Sequence, residues 1–198
     1  MASSSAQLRS SATYSGEWSL PQVAGRFVEI SGSKATAVLT LAFGLVLDAQ
    51  KRSEPVGWAT STESSFYPPD AAQLWIDLAA LVVVRVPKAD AIARAGEKLL
   101  RSGGFGLVVL DLGLTDIPPP LQSRLTGLAH HHHTALICLT EKDSKAFSLG
   151  SLVSLRVHAE RKRVGNNEFA CAVSVLKDKR RGPSWMYEEV LHGPPGLY

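Results

Sequence analysis

The chain has 198 residues, of which 45% are hydrophobic, so it can bury one core but is too short for two full domains. Its most apolar run, residues 74–86, is interrupted by Asp77 and Arg85 and falls short of the roughly 20 apolar residues that a membrane helix needs. The Ser- and Ala-rich start lacks the apolar segment of a secretory signal, so we expect a cytoplasmic location and no membrane partner. Cys138 and Cys171 both lie in apolar runs, which argues against a disulfide or a zinc site.

Strands and helices are predicted in alternation from residue 26 to residue 140. Residues 1–17 show no periodicity and are predicted to form a flexible tail, whereas residues 18–198 are predicted to form one domain. Short apolar runs predict strands, and longer segments with apolar residues at helical spacing predict helices. The predicted strands are 27–30, 56–61, 81–86, 106–111 and 134–140, and the predicted helices are 34–50, one that begins at Pro69, 88–101 and 121–128. The β-branched run at 81–86 predicts a strand that is buried on both faces.

A different pattern begins after residue 150. In residues 153–159 apolar residues alternate with polar ones such as Arg156 and His158, which predicts a half-exposed strand. Turn residues at 165–167 and a second apolar run predict an antiparallel hairpin over 152–177, and a last short strand is predicted at 185–191. Together these elements predict an α/β fold with a mostly parallel central sheet, flanking helices and a C-terminal antiparallel hairpin.

Several local strings, taken in order, resemble the core of bacterial RecA recombinases. Residues 25–32 and then 39–41 are similar to the strand and helix that flank the phosphate-binding (Walker A) loop of this family. Residues 107–111 are similar to its Walker B strand. The resemblance covers roughly residues 18–197 and implies a RecA-like, P-loop-type core.

The resemblance also assigns roles to single residues. It places Glu63 where the family carries the Glu that activates water, and Asp111 where a carboxylate holds Mg²⁺. Glu141 falls where the family ends a strand in a Gln that senses the γ-phosphate. Lys177 and Lys179 resemble the Lys-x-Lys pair that reaches the nucleotide of a neighbouring subunit.

The phosphate-binding loop departs from the family pattern. A Walker A loop is Gly-x-x-x-x-Gly-Lys-Ser/Thr, in which Gly lets backbone N–H groups wrap the phosphates and Lys meets their charge. Here Gly32-Ser33-Lys34-Ala35-Thr36 leads directly into the predicted helix, so the second Gly is missing and no Lys precedes a Ser or Thr. We therefore expect no ATP hydrolysis, no cofactor and no bound metal. The expected remnants of a nucleotide site are Gly32, Lys34, Thr36, Glu63, Asp111 and Glu141. The alternative interpretation is that Asp111 merely ends a buried strand and Glu63 caps a helix.

We also expect larger pieces of RecA to have no counterpart, since the sequence predicts no long helix before the core and no domain after it, and residues 142–150 are short where the family has a DNA-binding loop. A shortened, catalytically silent RecA-like chain resembles the ImuA proteins and the related SulA-type division inhibitors. This resemblance implies a non-catalytic adaptor in the bacterial DNA-damage (SOS) response that binds an ImuB-type Y-family polymerase homologue or RecA and supports error-prone translesion synthesis. Two alternatives remain: a divergent RecA-like ATPase that acts on DNA through Lys34, Thr36 and Asp111, or a SulA-like inhibitor of cell division.

The net charge of +3 is unevenly distributed, because basic residues concentrate on the predicted hairpin and after it. The candidate contact residues for a partner protein or for DNA are Arg156, Arg161, Lys162, Arg163, Lys177, Lys179, Arg180 and Arg181. The alternative is an ordinary solvated surface. The run His130–His133 is predicted to be an exposed loop, and four adjacent imidazoles do not have the spacing of a designed metal site.

Overall fold

A computed structural model describes residues 14–33, 37–62, 64, 66–166, 168–182 and 185–192. Its strands are β1 (Tyr14–Ser15), β2 (Phe27–Ser31), β3 (Val56–Ser61), β4 (Leu81–Val86), β5 (Leu107–Gly113), β6 (Ala135–Thr140), β7 (Leu155–Gly165), β8 (Glu168–Asp178) and β9 (Trp185–His192). Its α-helices are α1 (Leu20–Val23), α2 (Val38–Lys51), α3 (Pro68–Gln73), α4 (Ile92–Arg101) and α5 (Pro119–His131). Two short 3₁₀ turns, Leu78–Ala80 and Ala89–Ala91, precede β4 and α4.

All nine strands form one sheet in the order β1-β9-β8-β7-β2-β6-β5-β3-β4. The six strands from β7 to β4 pair in parallel, whereas β8 pairs antiparallel with both β7 and β9. The predicted α/β fold with a mostly parallel sheet and a C-terminal antiparallel hairpin is confirmed. The predicted strand at 185–191 is confirmed as β9, which extends the hairpin to three antiparallel strands.

Helices cover both faces of the parallel part of the sheet because the buried strands carry apolar side chains on both sides. One core cluster joins Val28 and Ile30 of β2 to Leu41 and Leu45 of α2. The other joins the strand residues that point the opposite way to α4 and α5. Gly103 follows α4 with φ 68, a left-handed backbone that Gly adopts without strain, so the predicted stop at this position is explained.

Two predictions about single elements are wrong. Strand β4 is not buried on both faces, because it forms the outer edge of the sheet, where Val82 is 48% exposed. The histidine run is not a loop at its start, because α5 continues through His131 and only His132 and His133 follow it. A helix can extend by a turn without burying new apolar surface, so the apolar pattern that ends at Leu128 does not mark its end.

Candidate functional site

The carboxyl ends of β2, β3, β5 and β6 meet at one edge of the sheet, which we call the switch edge. Although β2 and β3 follow each other along the chain, β6 and β5 lie between them in the sheet. In open α/β sheets such a reversal of strand order opens a crevice in which ligands bind. The switch edge is therefore where the predicted nucleotide remnants are expected to converge.

The connection from β2 to α2 forms the start of the switch edge. Gly32 is buried, and its N–H donates a hydrogen bond to the Thr140 carbonyl at 3.1 Å. Lys34 and Thr36, the predicted relics of the loop, lie outside the described residues. The first two residues of α2, Val38 and Leu39, are half-buried and pack against the core. The first turn of α2 therefore packs apolar side chains against the core, whereas a phosphate-binding loop places a Lys and a Ser or Thr at the start of the helix.

Asp111 lies near the end of β5 and is held by two hydroxyl groups. Its Oδ2 accepts hydrogen bonds from Thr60 Oγ1 at 2.9 Å and from Ser64 Oγ. Ser64 Oγ in turn accepts the N–H of Phe66 at 3.0 Å. These bonds tie β5 to β3 and to the turn after β3, which is a structural role. Glu63, the predicted activator of water, lies outside the described residues.

Glu141 follows β6 and is exposed. Its N–H donates to the Gly113 carbonyl at 2.8 Å, and Gly113 has φ 57, where a side chain would strain the backbone. The structure thus brings Gly32, Asp111 and Glu141 to the same edge of the sheet. At this edge Glu141 would bring a negative charge toward a phosphate, and like-charge repulsion disfavours that arrangement.

A buried carboxylate that the sequence analysis did not single out lies beneath the switch edge. Glu29, in the middle of β2, is fully buried. Its Oε1 accepts a hydrogen bond from Thr140 Oγ1 at 3.2 Å, and its Oε2 accepts from Ser148 Oγ at 2.7 Å and from the Leu149 N–H at 3.0 Å. Arg156 Nε lies 3.7 Å from the same Oε2. A charged residue inside an apolar strand is the only sequence signal of this network.

Arg156 itself is only 7% exposed, although the alternating pattern predicted a surface position. Its guanidinium donates to the Ala146 carbonyl at 2.5 Å and to the Asp143 carbonyl at 3.2 Å. Glu29 and Arg156 therefore fasten the connection between β6 and β7, which we call the strap (residues 141–154), across one face of the sheet. His158, also predicted to be exposed, is buried at 8% exposure.

The structure divides the remaining basic candidates into two groups. Arg161, Lys162 and Arg163 are exposed near the tip of the β7–β8 hairpin, where the Arg161 guanidinium lies 5.2 Å from the centre of the Phe169 ring. The second group, Lys177, Lys179, Arg180 and Arg181, lies at the other end of the hairpin. At a rise of about 3.3 Å per residue, the two groups lie roughly 25 Å apart along the hairpin. They therefore do not form one continuous contact surface.

Three members of the second basic group are engaged within the chain. Lys177 Nζ and Lys179 Nζ both donate to the Ser151 carbonyl, at 3.3 and 2.7 Å. Burial and the neighbouring Lys179 ammonium lower the pKa of Lys177. Arg181 donates to the side chain of Gln22. Lys177 and Lys179 thus hold the C-terminal part of the strap through the Ser151 carbonyl. A partner that binds these lysines would have to compete with this carbonyl.

The histidine run lies at the opposite edge of the sheet from the switch edge. His130, His131 and His133 are exposed, and the His131 and His132 rings pack edge to face with centres 4.7 Å apart. Among the described residues, no three His, Cys, Asp or Glu side chains are grouped closely enough to hold a metal ion. A search of the same residues finds no helix long and apolar enough to cross a membrane.

These features define an α/β protein whose candidate ligand edge lies at a topological switch point. Comparison with known proteins relates it to RecA: the chain is 30% identical over 103 residues to Protein RecA of Chlorobaculum tepidum and of Chlorobium limicola, and 30% identical over 87 residues to that of Bifidobacterium breve. The matches cover 52%, 52% and 44% of this chain but only 29%, 28% and 22% of the relatives. The chain thus spans less than a third of the length of the curated RecA proteins that it matches. No protein-family model matches the chain.

Proposed function

We propose that this chain is a non-catalytic, RecA-like adaptor that acts in the bacterial DNA-damage response by binding other proteins. Its proposed partners are an ImuB-type Y-family polymerase homologue and RecA, and its proposed role is to support error-prone translesion synthesis. The observation that carries the non-catalytic part is the start of α2, where Val38 and Leu39 pack into the core. The partial similarity to RecA supports the link to DNA damage.

A thermal-shift measurement with Mg-ATP tests the non-catalytic part. Ligand at 100 times its Kd adds about 2.7 kcal/mol of stability, which for a chain of this size raises Tm by roughly 5–10 °C. We expect no shift for this chain, and a RecA with an intact phosphate-binding loop serves as the positive control. A clear rise that is lost in Asp111→Asn would demonstrate Mg-ATP binding and favour the divergent ATPase instead.

Co-purification with RecA and with the polymerase homologue tests the adaptor part, in the presence and absence of ATP and single-stranded DNA. We expect binding that does not require nucleotide. The double variant Lys177→Glu/Lys179→Glu should weaken it, because these residues resemble the Lys-x-Lys pair that reaches a neighbouring subunit in the RecA family. The matched control is Lys51→Glu/Lys98→Glu, which makes the same charge change at exposed positions on α2 and α4. Equal binding by both double variants would remove the lysine pair from the contact surface.

A further inference from the structure

The outer edge strand β4 is apolar and lacks the features that usually prevent an edge strand from pairing with another strand. It carries the run Leu81-Val82-Val83-Val84, and Val82 and Val83 are 48% and 36% exposed. Soluble proteins usually protect an edge strand with charges, Pro or a bulge, because its free backbone groups invite another strand. The single charge on β4 does not protect it, since the Arg85 guanidinium turns back to the Phe66 carbonyl and lies 5.9 Å from the centre of the Phe66 ring.

The segment that leads into β4 also carries exposed apolar side chains. Tyr67, Trp75 and Leu78 are 59%, 87% and 41% exposed, and Trp75 has φ 65, a backbone conformation that a bulky residue rarely adopts. With Val82 and Val83 they make up five of the ten exposed large hydrophobic side chains in the described part of the chain. Exposed large apolar side chains along one segment of the chain are typical of a protein contact.

The backbone of β4 fixes which of its groups are free. The Val86 carbonyl accepts the Thr62 N–H beyond the end of β3, so it points into the sheet. Because successive residues of a strand point their backbone groups to alternate sides, Leu81, Val83 and Arg85 point theirs outward. The Leu81 N–H is already bonded to the Leu78 carbonyl, which leaves its carbonyl as the free group of that residue.

We propose that β4 pairs with β4 of a second copy of this chain, antiparallel and centred on Val83, to give a two-fold symmetric dimer with one continuous sheet. In this register the two Val83 residues exchange backbone hydrogen bonds, and each Arg85 N–H donates to the Leu81 carbonyl of the other copy. Val82 packs beside Val84 of the other copy. The pattern is self-complementary because the outward residues are placed symmetrically about Val83, as an isologous contact requires.

The charges of the strand also fit a second copy. The register sets each Arg85 opposite Leu81, so the two guanidinium groups lie at opposite ends of the contact and do not repel each other. A shift by two residues would bring Arg85 closer to its symmetry mate or leave outward groups unpaired. This inference rests on the geometry of β4 and goes beyond the proposed function.

Sedimentation of the full chain over a concentration series tests the dimer. We expect the wild type to dimerise and Val83→Lys to sediment as a monomer, because two ammonium groups would face each other at the two-fold axis and weaken association by roughly a hundred-fold. Val83→Thr keeps a β-branched residue and should still dimerise. Leu114→Lys adds the same charge at a side chain that is 77% exposed on another loop and should also dimerise. Circular dichroism confirms that each variant is folded.

Amide hydrogen exchange locates the contact. We expect the Val83 and Arg85 amides to become protected as protein concentration rises, since they face solvent in the monomer. A wild type that stays monomeric up to about 100 µM, where a contact of even modest affinity is populated, would overturn the proposal. So would a dimer that survives Val83→Lys or leaves these two amides unprotected. Either result leaves the thermal-shift and co-purification tests of the adaptor unaffected.

Discussion

The Asp178 carboxylate, at the end of β8, forms hydrogen bonds to three separate parts of the chain. Its Oδ1 accepts hydrogen bonds from the Arg26 guanidinium at 2.7 Å and from the Arg180 N–H at 2.8 Å, and its Oδ2 accepts from Trp185 Nε1 at 2.9 Å. The side chains of Arg26 and Asp178 are only 3% and 0% exposed. We predict that Asp178→Asn destabilises the protein by about 3–5 kcal/mol, because it leaves a buried guanidinium without a counter-charge.

The pH dependence of this effect follows from the pKa of Asp178. Burial alone would raise that pKa, but the hydrogen bonds from Arg180, Trp185 and Arg26 and the charge of Arg26 outweigh burial and hold it below its usual value. The stabilisation is therefore fully present above the unfolded pKa of about 3.9 and is lost as the pH falls through the lower folded pKa. The difference in unfolding free energy between the wild type and Asp178→Asn should shrink over that acidic range.

Urea unfolding followed by circular dichroism measures both effects. The matched control is Asp116→Asn, because the Asp116 carboxylate also forms a 2.7 Å ion pair, with Lys142, but its side chain is 73% exposed. An exposed pair contributes about 0–1 kcal/mol, so this control should change little. Equal destabilisation by Asp178→Asn and Asp116→Asn at neutral pH would refute the argument that burial makes the Asp178 carboxylate important.

Three further predictions use other features of the fold. Gly96→Ala should destabilise the protein by about 1–3 kcal/mol, because a Cβ at this position would lie 2.4 Å from the Leu110 side chain of β5. Gly127→Ala has open space around it and should stabilise the protein by about 0.5–1 kcal/mol. Urea unfolding measures both changes. Glu29→Gln should release the strap and speed its cleavage by trypsin, monitored by mass spectrometry. Cys138 and Cys171 are buried and burial raises the pKa of both thiols, so neither should react quickly with a thiol reagent until urea unfolds the chain.

The central strands were predictable from the sequence because each is an apolar run bounded by turn residues. The bounds predicted at 56–61 and 81–86 coincide with β3 and β4. The position of β4 within the sheet was not predictable in the same way. Apolar periodicity reports which side chains avoid water, but strand order decides whether a strand has one neighbour or two. The prediction that β4 is buried failed for this reason.

The candidate site was predictable only in part. Asp111 and Glu141 both lie at the switch edge, because strand ends in a parallel sheet meet at one edge. Arg156 was assigned to the surface from its alternating pattern, and the structure buries it because the strap crosses that face. Glu29 was overlooked, since its hydrogen-bond donors Thr140, Ser148 and Leu149 all lie more than 100 residues away in sequence. Contacts of this range leave no periodic signal in the sequence.

Two of the described groups at the switch edge already have hydrogen-bond partners within the chain. A phosphate site must hold unsatisfied donors that wait for the ligand. Here the Gly32 N–H is bonded to Thr140, and one oxygen of Asp111 is bonded to Thr60 and Ser64. The Gly32 N–H is therefore not free to meet a phosphate, which is consistent with our proposal of a non-catalytic adaptor. The apolar edge of β4 and the exposed basic residues at the tip of the hairpin are two surfaces of the kind that macromolecular partners use.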